Sequence, residues 1–224
     1  MIGECRFIRK SIGSALLLAP ILALCVRFVD VPVALYIKEH LYGNGQWSEL
    51  TSDLPDLLLV VVLLTTFVAL FSYLLRKRKG IVDAVTNLAR VLSWATPSSY
   101  LMKTVLKYGF GRVNTRYWLE HPELYGFHWF QGLPHCEGFP SGHMLVIVTV
   151  LAAFGRFYPK IRALCLAVGI LLGLALIATN YHFVSDVIAG VWLGLLIEAV
   201  TFRLLNHEPC RLPDIRSDQP AGGA

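Results

Sequence analysis

An all-α bundle of six transmembrane helices is the fold this sequence predicts, and three observations predict it. Of its 224 residues, 55% are hydrophobic and only 16% are charged, against roughly 25% charged in a soluble domain. Mean hydropathy is +0.58. Six stretches also supply the ~20 mostly apolar residues that a bilayer crossing needs. So much apolar surface does not fit one soluble core of this size. A disordered chain, a fibrous repeat and a disulfide-rich miniprotein are excluded, and an ordinary soluble enzyme is disfavoured.

The first span covers about residues 12–29, behind the basic Arg6, Arg9 and Lys10. This start resembles a secretion signal, but no small-residue cleavage site precedes a soluble region, so a retained helix is expected. The second covers 54–75, with Asp53 ahead of Pro55 as its start signal. The third, 81–106, is the most polar. Its Asp83, Asn87 and Arg90 fall at i, i+4 and i+7 and are expected on one face turned into the bundle. The fourth covers 144–157, just behind Pro140-Ser141-Gly142. The fifth covers 161–180 and the sixth 183–205. Glu198 in the sixth is expected to turn inward to a polar partner that the sequence does not identify. Residues 1–205 thus read as one membrane-embedded domain, and 206–224 as a polar cytoplasmic tail.

If the six spans alternate, thirteen Lys and Arg residues fall on one side and five (Lys38, Lys103, Lys107, Arg112, Arg116) on the other. The positive-inside rule then puts both termini in the cytoplasm and the loop 108–140 outside. The net charge of +5 therefore reads as a topology signal, not as a footprint for nucleic acid. Cys5, Cys25, Cys136, Cys165 and Cys210 show no metal-ligand spacing. Only Cys136 lies in an outer loop, so no structural disulfide is expected.

The chemistry-bearing residues gather at the outer face. From His143 to His182 is 39 residues. At ~1.5 Å per residue that is one helix into the membrane and one back, so both imidazoles return to the same surface. His182 and Asp186 are four apart and are expected to share a helix face. A carboxylate on one ring nitrogen fixes the tautomer and leaves the other nitrogen as nucleophile or base. Pro140-Ser141-Gly142-His143 places a hydroxyl, an unhindered N–H and an imidazole at a helix N-terminus, which suits an anion.

The stretch Lys107 to Arg116 brings three cations to the side where the topology rule disfavours them. Phosphate binding accounts for them. Tyr108, Phe110, Tyr117, Trp118, Tyr125, Phe127, Trp129, Phe130 and Phe139 read mostly as an interfacial belt. His121, His128 and His135 recur every seven residues without tight ligand spacing, and no metal site is expected.

The order of a Lys–Gly–Arg region, then PSGH, then HxxxD resembles the type 2 phosphatidic acid phosphatase (PAP2) superfamily of integral membrane lipid phosphatases. The resemblance covers about residues 103–190. The six-span layout fits it; the cytoplasmic termini and the lack of a barrel pattern point to a bacterial inner membrane, with the site facing outward. The resemblance implies metal-independent hydrolysis of a lipid phosphomonoester or diphosphate, with no cofactor. His182 would be the nucleophile that forms a phosphohistidine, and Asp186 would orient it. His143 would protonate the leaving alcohol and then activate water. Lys107, Ser141 and the Gly142 N–H would hold phosphate oxygens.

The family's first motif is Lys, six residues, Arg-Pro. Here Asn114-Thr115 stand where Arg-Pro is usual. Its third motif opens on Ser-Arg, where this chain has Ala175 and Leu176. Arg112 and Arg116 flank the first gap and are the expected substitutes, with Asn114 beside them and Asn180 as a further donor. Three other functions remain open: lipid-to-lipid phosphotransfer, a catalytically weak lipid-phosphate binder, and an ion-coupled transporter built on Asp83, Arg90 and Glu198.

Overall fold

The computed structural model describes residues 2–41 and 54–206. Helix α1 (Ile2–Leu24) runs through a π-helical turn at Cys25–Val29 into α2 (Asp30–Leu41), so the first span is a rod that reaches well past residue 29. Asp30 reads as the end of a span because a lone carboxylate is costly in an apolar environment. Here it is 1% exposed and ion-paired to Arg112. The helix therefore continues, with Asp30, Ala34 and Ile37 on its buried side.

Then come α3 (Leu54–Arg78), α4 (Ala84–Phe110), the short α5 (Thr115–Glu120), α6 (Gly142–Phe157), α7 (Arg162–Ala178) and α8 (Val184–Asn206). No strand occurs among the described residues; Arg112 and Phe127 form one isolated antiparallel bridge. The start expected at Asp53 lies outside the described residues. So does the expected tail, apart from Asn206, which closes α8.

Four helical stretches are long and apolar enough to cross a bilayer: Arg6–Leu41, Leu58–Arg78, Pro159–Ala178 and Val184–Asn206. Two of the six expected spans differ. Helix α6 is apolar but has 16 residues, or ~24 Å at the α-helical rise. Helix α4 has 27 residues but buries Thr86, Ser93, Thr96, Ser99 and Lys103. Its polar side faces protein, which lowers its hydropathy without exposing those groups to lipid.

Helices α4, α6 and α8 pack on one another at the centre. Helix α3 lies on α4, α7 on α6, and the α1–α2 rod against α7 and α8. A Cβ on Gly190 would stand 2.7 Å from the Ser141 carbonyl, and one on Gly194 would stand 2.7 Å from that of Leu145. Two glycines one turn apart thus let the α6 and α8 backbones touch, as small residues do between membrane helices. This contact sets the relative position of the two segments that carry the histidines. Leu16, Leu17, Phe67, Leu164 and Leu171 on the outer helices are more than half exposed, as lipid-facing side chains are.

The expected inward face of α4 is corrected at its first residue. Asp83 is the N-cap: its Oδ1 accepts the Thr86 N–H at 2.9 Å, and Arg76 pairs with its other oxygen. Capping places it at the helix end, in solvent. Arg90 donates to Asn206 Oδ1 at 2.6 Å. Glu198 finds its partner in Arg156, a bidentate pair at 2.6 and 2.7 Å. The ionisable residues that suggested transport are thus paired at the end of the bundle away from the histidines.

Candidate active site

Helix α4 ends where α6 and α8 begin, and the loops there are tied together by main-chain bonds. The Ser141 N–H donates to the Asp186 carbonyl at 3.0 Å, joining the first turns of α6 and α8. The Tyr181 and His182 N–H groups both donate to the Leu176 carbonyl, folding the α7–α8 loop back on itself. Ser141 is the N-cap of α6, its hydroxyl accepting from the Met144 N–H at 3.4 Å.

This arrangement brings the two predicted imidazoles together. The His143 and His182 ring centroids are 6.3 Å apart at an interplanar angle of 62°. The Tyr181 ring packs edge-on against both, at 5.4 and 5.2 Å. His182 is 3% exposed, and neither ring nitrogen has a hydrogen-bond partner among the described residues. Its Nδ1 lies 3.6 Å from Asp186 Oδ2. Burial pushes the His182 imidazole below its ordinary value; Asp186 opposes that shift and the Lys107 charge adds to it.

The expected origin of the His–Asp pair is corrected. His182 precedes α8, which starts at Val184, so the two residues do not share a helix face. Asp186 reaches back from the first turn and accepts the Phe183 N–H at 3.0 Å. That satisfies one of the helix's open amides and aims the carboxylate at the loop that holds His182.

Arg112 is also corrected. Its guanidinium is not presented to a phosphate. It is 0% exposed, with Nη1 donating to Asp186 Oδ1 at 2.6 Å and Nη2 to Asp30 Oδ2 at 2.7 Å. It also meets the Ser185 and Tyr125 hydroxyls. Two carboxylates outcompete a surface anion for a buried arginine. Arg116 stays at the rim. Its Nε and Nη2 donate to the Thr179 carbonyl, and its guanidinium lies 5.3 Å from the centroid of the Tyr181 ring.

Lys107 lies at the same end, 3.9 Å from Glu137. Asn114 precedes α5, its N–H bonded to the His135 carbonyl and its carbonyl accepting from Trp118. Asn180 is corrected as a donor to substrate, because its amide is buried and donates to the Ala34 carbonyl at 3.2 Å.

Three residues were not among those singled out. Lys103 is 9% exposed, one turn before Lys107, and its alkyl chain fills the space a side chain at Gly142 would take. The i, i+4 spacing of the two lysines could have marked it. Asp30 and Ser185 form the far side of the Arg112 network, and no local pattern marks Asp30.

The aromatic loop divides. Trp118 and Phe139 are buried, whereas Tyr108, Trp129 and Phe130 are more than half exposed. His121 and His128 bond carbonyls within their own turns, and His135 stacks on Tyr117. Among the described residues no cluster of His, Cys, Asp or Glu could hold a metal ion. The thiols of Cys25, Cys136 and Cys165 are free; the side chains of Cys5 and Cys210 lie outside the described residues.

The profile of the PAP2 superfamily matches residues 88–209, just over half of the chain. A Rhizobium etli protein named lipid A 1-phosphatase is 33% identical over 109 residues, 47% of each chain. A Rhizobium johnstonii protein of the same name is 33% identical over 107 residues, 46% of this chain and 43% of its own. The chain thus matches these curated relatives over about half their length. No solved structure matches.

Proposed function

The chain belongs to the PAP2 superfamily, and from that premise we propose that it is a lipid phosphatase of a bacterial plasma membrane. It hydrolyses a phosphomonoester or diphosphate of a lipid at the outer face, through a phosphohistidine. The observation that carries this reading is the pair of imidazoles 6.3 Å apart, one of them buried with unbonded nitrogens and a carboxylate behind it.

In the first half-reaction His182 Nε2 attacks phosphorus and the P–O bond to the lipid breaks. His143 gives its proton to the leaving alcohol or lipid phosphate. In the second, His143 takes a proton from water, the oxygen attacks phosphorus, and the N–P bond breaks to release phosphate. Asp186 holds the His182 tautomer and balances the positive charge the ring acquires. Lys107, Arg116, the Ser141 hydroxyl and the open N–H groups of the α6 N-terminus supply the positive field for the transferring phosphoryl. Lysine and arginine on the outward side fit this role, and the positive-inside rule supports that orientation.

Because two relatives carry the name, lipid A 1-phosphate is the first substrate to try. A phosphate-release panel on purified protein, with and without EDTA, tests the reading. It should also include phosphatidic acid, phosphatidylglycerophosphate and undecaprenyl diphosphate. Release from at least one lipid, unaffected by EDTA and absent in His182→Ala, is expected. Release that survives His182→Ala would remove the nucleophile assignment.

A further inference from the structure

Helix α2, the second half of the N-terminal rod, contributes a charge to the site from outside the segment that matches the family profile. Asp30 is 1% exposed, and Arg112, Ser185 and Asp186 are each 0% exposed. Asp30 Oδ1 accepts the Ser185 N–H at 2.9 Å. Its Oδ2 accepts the Ser185 hydroxyl and, at 2.7 Å, Arg112 Nη2. Arg112 Nη1 donates to Asp186 Oδ1 at 2.6 Å, and Asp186 Oδ2 faces His182 Nδ1 at 3.6 Å. A line of buried hydrogen bonds thus runs from the N-terminal rod to Asp186, whose second oxygen faces the nucleophile.

The geometry points to Asp30 as a positioning residue: we propose that, by sharing the Arg112 guanidinium, it leaves the Asp186 charge available to His182 and so fixes the tautomer of that ring. The inference rests on the phosphohistidine reading for its kinetic arm only.

Charge decides the argument. One buried guanidinium stands between two buried carboxylates, so the trio itself carries one net negative charge. The Lys107 cation, which also acts on the ring, is unchanged by Asp30. The negative charge of the trio is matched when His182 becomes cationic on attacking phosphorus. Without the Asp30 charge, Arg112 and Asp186 neutralise each other, and the new cation on His182 meets a neutral pair in a site shielded from water. Asp30 also caps α8 from another helix. It takes the Ser185 N–H while Asp186 takes that of Phe183, so two of the open amides at that helix start are satisfied by carboxylates.

The placement of Asp30 is built in. Its own N–H bonds the Cys25 carbonyl across the π-helical turn. On one side of it the Tyr125 hydroxyl donates to the Val26 carbonyl at 2.6 Å; on the other Asn180 donates to the Ala34 carbonyl. The two loops that flank the histidines are thereby tied to the same short stretch of the N-terminal rod, the π-helical turn and the start of α2. A π-turn at such a place is in keeping with where these insertions usually occur.

The test uses the full chain in detergent with ring-15N-labelled histidine, the His182 signals being assigned with His182→Asn. In the wild type His182 should show one tautomer, with the proton on Nδ1. In Asp30→Asn, which keeps the shape and removes the charge, mixed tautomers are expected. The kcat for phosphate release should fall on the order of 10- to 100-fold, as for the loss of a group that orients a ligating or reacting histidine, with KM within about twofold. The double variant Asp30→Asn/Arg112→Gln restores one net negative charge and should recover the single tautomer. If Asp30→Asn does not fold, the double variant still puts the charge argument at risk, because mixed tautomers there contradict it.

A wild-type tautomer and kcat in Asp30→Asn would overturn the proposal. So would mixed tautomers in a folded double variant. If the wild type releases no phosphate from any lipid, the hydrolase reading fails, and the tautomer signals still decide the role of Asp30.

Discussion

The bundle carries an arginine–carboxylate contact at each end, and the two differ in what they leave over. At the far end Arg156 meets Glu198 with two parallel bonds, one cation to one anion, and nothing reactive lies beside them. At the histidine end Arg112 is shared by Asp30 and Asp186, and the second oxygen of Asp186 turns toward His182. Both arrangements obey the same rule, that a buried charge must be paired. The difference is the unmatched negative charge. A closed pair joins helices; an open one can stabilise a cation formed in turnover.

The largest expected effect tests the open end. His182→Asn should reduce phosphate release by roughly a thousandfold or more, as loss of a covalent nucleophile does, while thermal unfolding in detergent stays near that of the wild type. Substantial residual turnover would reduce the histidine end to another structural cluster. His143→Gln should cost on the order of 10²- to 10⁴-fold. That loss should shrink on an aryl phosphate, whose leaving group needs no proton. An equal loss of kcat/KM, which reports the half-reaction that expels the leaving group, on both substrates would argue against its role as an acid.

Glu198→Gln sharpens the contrast from the closed end. Removing one partner of a fully buried pair costs several kcal/mol. Because the Arg156 side chain is 38% exposed, the cost here should be about 2 kcal/mol, read as a lower unfolding midpoint. The kcat/KM of the folded fraction should not move. A selective fall in kcat would mean that the two ends are coupled.

The smallest effect is electrostatic. Burial lowers the His182 titration, and the Lys107 charge lowers it further. The ring should therefore titrate below 6.5, and Lys107→Met should move its midpoint upward, as followed by histidine NMR. The sign for stability follows. Below 6.5 the unfolded chain binds the proton and the native ring does not, so acidification costs stability from 6.5 down to the native midpoint. An unchanged midpoint in Lys107→Met would place that charge away from the ring.

The open end was legible only in part. The return of His143 and His182 to one surface follows from 39 residues and two crossings, and the rings do meet. The positions of α6, α7 and α8 were likewise readable, because apolar runs and their caps are local signals. Asp30 was not. It is 82 residues from Arg112, and a carboxylate after an apolar run reads as the end of a helix until its partner is known. Arg112 was misread for the same reason: beside Gly111, on the outer side, an arginine looks like an anion ligand. Only tertiary packing shows that two carboxylates already surround it. Glu198 was read correctly as turned inward, but its partner lies 42 residues away and carries no pattern that announces it.

The most direct measurement is to trap the intermediate. Rapid acid-free quench of the enzyme turning over a 32P-labelled lipid phosphate, followed by peptide mapping, should place an acid-labile, base-stable label on His182. The label should be lost in His182→Asn. Steady release of phosphate with no label at His182, or a label that persists after that residue is replaced, would contradict the account.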